Sequence, residues 1–222
     1  MSKKQITREK IIHSFLSSAS EKSPGATSLA DISEVLDIKK ASLYNHFASR
    51  EEMYNATLEL CSSEILNSSF ISRSTIESAS DKKTQPVAVF KKVITAYFKL
   101  FESDPFIKMF VFVHSEQYFN KQAMDIVLAD YKRLSDGIYS LLKAFKDAGK
   151  LSSSVKDLRE TANVISTLTG SQLDKFIAQK QEVIRLNPDT GAGSLFALPT
   201  DESMLTRCLK PVETLLKAIL EA

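Results

Sequence analysis

The sequence has few of the residues that interrupt or cross-link a chain. Only 6 glycines and 6 prolines occur in 222 residues, and alternating β-branched runs are scarce, which argues against a β-rich chain. The two cysteines, Cys61 and Cys208, lie far apart and outside any Cys/His cluster, so we expect reduced thiols and no metal site. The longest dense apolar run, Met109–Val113, is too short to span a membrane, and no apolar stretch follows the basic N-terminus as in a signal peptide. We therefore expect a soluble, cytoplasmic, mainly helical protein that needs no cofactor.

Charge of one sign is not in excess either. The chain has 29 Lys and Arg against 27 Asp and Glu, which gives a formal net charge of +2. This balance is too small to indicate a nucleic-acid partner by itself. The distribution of the charges along the chain must decide that question.

Apolar residues recur at helical spacing along most of the chain, and the breaks divide it into two parts. Ser28 and Asp31 fit the capping box of a second helix, and Asp37 marks a tight turn before a third helix over residues 40–47. A fourth helix, about 50–70, is the connection to a larger helical body. The predicted fold is all-α, with a small three-helix N-terminal domain over residues 1–50 and a larger C-terminal domain over residues 51–222.

The larger part contains several predicted helices separated by clear punctuation. A polar linker is predicted over residues 72–85, Pro86 suits the first position of a helix, and Gly149 suits a helix C-cap. Long helices are predicted over residues 157–184 and 201–220, and Pro211 should kink or restart the last one. The Gly/Pro-rich loop over residues 187–200 has no function that can be derived from its sequence.

The segment IKKASLYNHFASREE, residues 38–52, has a polar face that a core helix would not need. Leu43 and Phe47 are four residues apart and should share the buried face. The other faces then present cations, small residues and hydrogen-bonding side chains: Lys39, Lys40, Ala41, Ser42, Tyr44, Asn45 and His46. Such side chains can bond base edges and phosphates, although a simply solvated face is the alternative. The order of cap, helix, turn, basic-aromatic helix and then Arg50 at the start of the next helix predicts a helix-turn-helix.

The stretch TSLADISEVLDIKKASLYNHFASREEMYNATLEL resembles the DNA-binding domain of the tetracycline-repressor (TetR) family of bacterial regulators. The resemblance covers about residues 8–60 and is carried by Thr27, Leu29, Ile32, Ile38, Lys40, Leu43, Tyr44, Phe47 and the run Ser49–Glu52. It implies a homodimer in which each subunit places its third helix in a DNA major groove and a C-terminal body binds a small effector. The chain departs from the family pattern at Asp37, where glycine is usual, and at Lys39, where a small polar residue is usual.

The resemblance also implies roles for individual residues. It makes Thr27, Lys40, Tyr44 and His46 phosphate or groove contacts, and it gives Arg50 the role of the usual lysine at the start of the fourth helix. The complete predicted DNA-binding set is Thr27, Lys39, Lys40, Ala41, Ser42, Tyr44, Asn45, His46 and Arg50.

Aromatic residues are concentrated in two consecutive predicted helices of the body, about 86–102 and 106–119. Plain core packing is one interpretation, since aromatic stripes at helical spacing are usually buried. The other is an apolar effector pocket with a few polar groups. The candidates for that pocket are Tyr97, Phe101, Phe110, His114, Gln117, Tyr118 and Tyr131. His114 and Glu116 point to different helix faces and no nucleophile accompanies them, so we do not expect an enzyme.

The last two long predicted helices carry apolar faces that suit a dimer interface. The candidates are Leu168, Leu173, Phe176, Val212, Leu216 and Ile219. Symmetric dimers are common, but the same faces could serve only the core of the monomer. The small residues Thr169, Gly170 and Ser171 should allow another helix to approach closely.

Together these features predict a dimeric transcriptional regulator. We expect a repressor that binds a palindromic double-stranded operator and is released by a small apolar or amphipathic effector. Two alternatives remain: a regulator controlled by a protein partner without a small ligand, and a helical binding module with a vestigial DNA-binding part.

Overall fold

A computed structural model describes residues 6–187 and 200–220, and the regular structure in these two ranges is entirely helical. The helices are α1 (Arg8–Lys22), α2 (Leu29–Val35), α3 (Lys40–Leu43), α4 (Arg50–Asn67), α5 (Arg73–Glu77), α6 (Pro86–Glu102), α7 (Phe106–Glu116), α8 (Lys121–Asp147), α9 (Leu158–Leu186) and α10 (Glu202–Leu220). The prediction of an all-α fold is confirmed. The predicted loop over residues 187–200 lies outside the described residues except for its two ends.

The predicted third helix and the predicted linker both differ from the structure. The third helix ends at Leu43, and residues 44–46 form a turn, because the amides of Asn45 and His46 bond carbonyls three residues back and tighten the end of the helix. The stretch over residues 72–85 is not a plain linker, since it contains α5 and a short 3-10 helix at Ser78–Ser80. The Ser72 hydroxyl accepts the Thr75 N–H and so supplies the N-cap that begins α5.

Two predicted features of the later helices can be compared directly. Gly149 has φ +68°, and the Lys150 N–H donates to the Phe145 carbonyl at 2.9 Å, which is the predicted glycine C-cap after α8. Pro211 lies inside α10, which runs through it as one helix, so the alternative of a restart at Pro211 is wrong.

The first compact unit comprises the residues up to Asn67 together with Asp104–Leu128. Its helices α2, α4 and α7 pack against α1. A buried cluster forms the centre of the predicted DNA-binding part: Ile11, Phe15, Ile32, Leu43, Phe47 and Met53. Phe15 also meets Phe112 edge-on with ring centroids 5.9 Å apart, which fixes α1 against α7. The functional boundary predicted at residue 50 stays a prediction.

The second compact unit comprises Ser68–Ser103 and the chain from Ala129 onwards. Helix α9 packs against α10 and α6, and Phe98 meets Phe176 with ring centroids 5.5 Å apart. A buried ion pair joins Lys180 of α9 to Glu102 of α6 at 2.9 Å. The helices of this unit are thus held together by both apolar packing and an ion pair.

Candidate DNA-binding surface

The turn between α2 and α3 has the geometry that the sequence predicts. The Ser28 hydroxyl accepts the Asp31 N–H and the Asp31 carboxylate accepts the Ser28 N–H, so the predicted capping box is confirmed. Asp37 has φ +53°, a left-handed conformation that Asp tolerates better than most residues. The amide of Ile38 then donates to the Ser33 carbonyl at 3.0 Å and closes the turn. These local bonds direct α3 away from α2 as a helix-turn-helix requires.

Residues Lys40–Phe47, called the recognition segment below, have one buried face and one exposed face. Leu43 and Phe47 are 0% and 1% exposed, as their spacing predicts. Five of the predicted DNA-binding residues are exposed to solvent: Lys39, Lys40, Ala41, Tyr44 and Asn45. Ser42 and His46 are half-buried on the flank. The exposed face therefore carries two cations, an amide, a phenol and a methyl group, a set that can meet phosphates and base edges.

Two other predicted contacts, Thr27 and Arg50, are turned inward. Thr27 is 1% exposed, and its hydroxyl donates to the Ser23 carbonyl at 2.8 Å. The Arg50 guanidinium donates to the carbonyls of Thr27, Pro24 and Gly25. Both side chains thus brace the connection between α1 and α2 against the start of α4, and neither offers its polar group to a phosphate in this conformation.

Sequence reasoning missed Arg8, which contacts the far end of the recognition segment. Its guanidinium donates to the His46 carbonyl and to the Glu52 carboxylate, the latter at 2.9 Å. The second Glu52 oxygen accepts the Ala48 N–H at 2.6 Å. The Ala48 amide and Arg8 together hold the pKa of Glu52 below its usual range, so Glu52 is charged at neutral pH.

The residues predicted for an effector pocket are divided between the two compact units. Phe110, His114, Gln117 and Tyr118 belong to the first unit, whereas Tyr97, Phe101 and Tyr131 belong to the second. Tyr97 and Phe101 are each 1% exposed and pack edge-on with ring centroids 5.2 Å apart. For these two residues the structure favours the alternative of plain core packing.

Tyr97 is part of a buried polar network. Its hydroxyl donates to Asp130 at 2.5 Å, and Arg133 donates to the other carboxylate oxygen of Asp130 at 3.0 Å through Nε. Burial, reinforced by Asp130, raises the pKa of Tyr97 well above its usual value. The network satisfies the polar groups that the packing of α6 against α8 buries.

An open groove on the second unit is lined by Tyr131, one of the residues predicted for the pocket. The groove has a volume of about 600 Å³ and runs between α8 and α9. Its other lining residues are mostly polar: Lys132, Asn163, Ser166, Thr167, Ser171 and Asp174. The Tyr131 ring lies directly over Gly170, where a Cβ would be 2.5 Å from its Cε1 atom, so the predicted close approach at Gly170 is confirmed.

Most residues predicted for a dimer interface are buried within the single chain. Four of them are at most 1% exposed: Leu173, Phe176, Val212 and Leu216. Leu168 and Ile219 are half-buried. The four buried side chains serve the core of the second unit, as the alternative interpretation holds, while Val164 on α9 is 46% exposed.

Two searches of the described residues complete the inventory of sites. Across residues 6–187 and 200–220, no group of three or more His, Cys, Asp or Glu side chains could hold a metal ion. None of the helices described there has the length and apolar content needed to cross a membrane.

Comparison with known proteins supports this interpretation of the N-terminal segment. The sequence profile described as bacterial regulatory proteins, tetR family, matches residues 11–57. The biofilm operon icaADBC HTH-type negative transcriptional regulator IcaR of Staphylococcus epidermidis is 44% identical over 54 residues, which are 24% of this chain and 29% of that protein. IcaR of Staphylococcus aureus is 41% identical over a segment of the same length. The match thus spans less than a third of these relatives.

Solved structures resemble nearly the whole chain. SmeT, the repressor of the Stenotrophomonas maltophilia multidrug efflux pump SmeDEF, has a TM-score of 0.55 at 19% identity, over 97% of this chain and 91% of SmeT. The TetR-family transcriptional regulator PfmR from Thermus thermophilus has a TM-score of 0.53 at 20% identity, over 86% of this chain and 98% of PfmR. At these identities the likeness shows the fold alone. Residues 11–57 of this chain therefore match the tetR family of bacterial regulatory proteins, and the chain has the fold of solved TetR-family regulators.

Proposed function

We propose that this chain is a DNA-binding transcriptional regulator that contacts its operator through the exposed face of the recognition segment. One observation carries the proposal: Leu43 and Phe47 anchor the segment in the core while Lys40, Tyr44 and Asn45 project from it. Lysine and tyrosine side chains bond phosphates, and an asparagine amide matches the major-groove edge of adenine. Lys39, Ala41, Ser42 and His46 complete the proposed surface.

The proposed mode of action is repression by a dimer on a palindromic operator. The curated relatives are negative regulators and SmeT is a repressor, which supports the direction of control. Two recognition segments about 34–36 Å apart would read half-sites one helical turn apart. Exposed Val164 and half-buried Leu168 on α9 offer apolar surface for such a dimer.

A small amphipathic effector is proposed to release the protein from its operator. The groove at Tyr131 has a volume within the usual range for ligand sites and combines an aromatic ring with hydroxyl and amide groups. Release requires that the effector bind more tightly to the conformation that does not fit the operator. Control by a protein partner is a second candidate, which the exposure of Tyr118 (83%) and Phe119 (89%) favours.

The test of the DNA-binding surface compares Lys40→Ala and Tyr44→Ala with Lys92→Ala, a control at an exposed lysine of α6. We expect both variants of the recognition segment to weaken binding to the operator while their thermal midpoints stay at the wild-type value. Lys40→Ala should also lower the slope of log affinity against log salt by about 0.9, the value for one lost phosphate contact. Unchanged affinity in both, or a loss of stability equal to the loss of affinity, would contradict the placement of these side chains.

A further inference from the structure

The recognition segment is too short to hold its own orientation. Helix α3 has four residues, and no side chain caps its N-terminus. A helix of this length is not stable alone, because its few internal hydrogen bonds cannot offset the cost of ordering the backbone. Its position must therefore come from contacts with other helices. Leu43 and Phe47 supply these on the buried face, and the end of the segment needs a further anchor.

Arg8, the first residue of α1, contacts that end in three ways. Its guanidinium donates to the His46 carbonyl, pairs with Glu52 at 2.9 Å, and lies 3.9 Å from the centroid of the Phe47 ring. One side chain thus connects α1, the recognition segment and α4.

Glu52 completes the arrangement from the side of α4. One carboxylate oxygen accepts a hydrogen bond from the Arg8 guanidinium, and the other accepts the Ala48 N–H at 2.6 Å. The Glu52 amide in turn donates to the Ser49 hydroxyl at 3.0 Å. Residues 46–49 are therefore held at both sides of the turn between the recognition segment and α4. A change at Arg8 or Glu52 alters the support of the residues that would face DNA without removing any of them.

We propose that Arg8 and Glu52 are positioning residues that fix the recognition segment for operator binding, an inference that rests on the proposed function. They form one unit, which we call the Arg8–Glu52 clamp. The competing role is direct: the Arg8 side chain is 52% exposed and could instead bond a phosphate. The two roles predict opposite results for two substitutions.

Glu52→Gln separates the roles by the sign of its effect. Removing a negative charge close to DNA should tighten binding if only long-range charge matters. If the clamp positions the segment, the same substitution should weaken binding, because Gln can still accept the Ala48 N–H but cannot pair with Arg8. We expect operator affinity to fall by up to about fivefold, the upper end for an exposed ion pair.

Arg8→Lys distinguishes the two roles of Arg8 by whether a conservative substitution restores operator affinity. Lysine keeps the charge, so it should preserve a phosphate contact, yet it lacks the planar fork that joins His46, Glu52 and the Phe47 ring at once. We expect Arg8→Lys to lose as much affinity as Arg8→Ala, with the salt slope of both at the wild-type value. Full affinity in Arg8→Lys, or a slope lower by about 0.9 in Arg8→Ala, would overturn the proposal in favour of a phosphate contact.

A matched control is the Arg73–Glu77 pair, which is also exposed and has a distance of 2.8 Å. Arg73→Ala should leave operator affinity unchanged. Thermal midpoints are measured for all variants, and affinity is compared at a temperature where each is folded. An equal loss of affinity in Arg73→Ala would overturn the proposal, because the effect would then belong to any broken ion pair.

Amide hydrogen exchange in the free protein keeps the clamp testable even without DNA. We expect exchange at the amides of His46, Phe47 and Ala48 to accelerate by up to about fivefold in both Arg8→Ala and Glu52→Gln. Unchanged exchange at all three amides would overturn the clamp. Failure of the wild-type protein to bind DNA, with accelerated exchange in the variants, would instead count against the proposed function alone.

Discussion

Replacing either partner of the buried Glu102–Lys180 pair should strongly destabilise the second unit. The two side chains are 9% and 5% exposed, with 2.9 Å between Glu102 Oε1 and Lys180 Nζ. Thr200 donates to the other carboxylate oxygen at 2.7 Å, so the pair connects α6 and α9 with the segment that leads into α10. Removing Lys180 leaves the Glu102 carboxylate buried without this counter-ion, and removing Glu102 takes from Lys180 the carboxylate with which it pairs, each at a cost of ~3–5 kcal/mol. For a chain of this size that lowers the thermal midpoint by roughly 6–20 °C.

The double variant gives the sharper result. Two methionines in place of the pair remove both charges and keep most of the side-chain volume, so Glu102→Met with Lys180→Met should be more stable than either single variant. Unfolding is followed by circular dichroism at one protein concentration, because dimerisation would make the midpoint concentration-dependent. Lys99→Met at the exposed Lys99–Glu202 pair is the control and should change stability by less than ~1 kcal/mol. A double variant that loses the sum of both single effects would refute the reasoning.

Three further predictions concern packing, thiol reactivity and acid stability. Gly170→Ala should lower the free energy of unfolding in urea by ~1–3 kcal/mol through overpacking, offset by ~1 kcal/mol that alanine gains in helix propensity. Gly137→Ala should cost less, because its Cβ would meet the movable end of a side chain, and equal costs would contradict this. Burial raises the pKa of the Cys61 thiol to about 12, so a thiol reagent at pH 8 should label Cys61 only after unfolding. Rapid labelling of the folded protein would contradict this prediction. The pKa values of Glu52 and Glu213 are lowered in the folded protein, so both carboxylates stabilise the fold at pH values above their ordinary pKa of about 4.5. This stabilisation should disappear as the pH falls through their lower folded pKa values, and a free energy of unfolding that did not change with pH in this range would contradict it.

Local chemistry made the helix-turn-helix predictable from the sequence. The Ser28–Asp31 capping box involves residues three apart, and the positive φ at Asp37 lies between two short amphipathic stretches. The inward placement of Leu43 and Phe47 follows from their spacing alone. Each of these features is decided within about one turn of the chain, so the sequence pattern was sufficient.

Long-range polar contacts were not predictable in the same way. Arg8 and Glu52 are 44 residues apart, and Arg50 reaches a carbonyl 23 residues back. An exposed-looking arginine in the sequence gives no sign of whether its guanidinium meets solvent, DNA or a backbone carbonyl. For this reason the sequence places Arg50 in the predicted DNA-binding set and gives no sign of the contacts that Arg8 makes.

Aromatic spacing predicted burial but not what burial serves. Tyr97 and Phe101 share one face of α6 and are buried, which core packing and an effector pocket both require. The distinction came from Asp130, a partner 33 residues from Tyr97 that satisfies its hydroxyl. The groove at Tyr131 is formed by residues of two helices, α8 and α9, so the spacing within α8 could not indicate it.

The central claim is that the exposed face of the recognition segment reads DNA, and selection of duplexes from a random pool by the purified protein tests it most directly. The selection is carried out at two salt concentrations with the wild-type protein and with Tyr44→Ala. We predict enrichment of an inverted repeat by the wild type, with affinity that falls as salt rises, and reduced enrichment by the variant. Failure to enrich any sequence at either salt concentration would contradict the account.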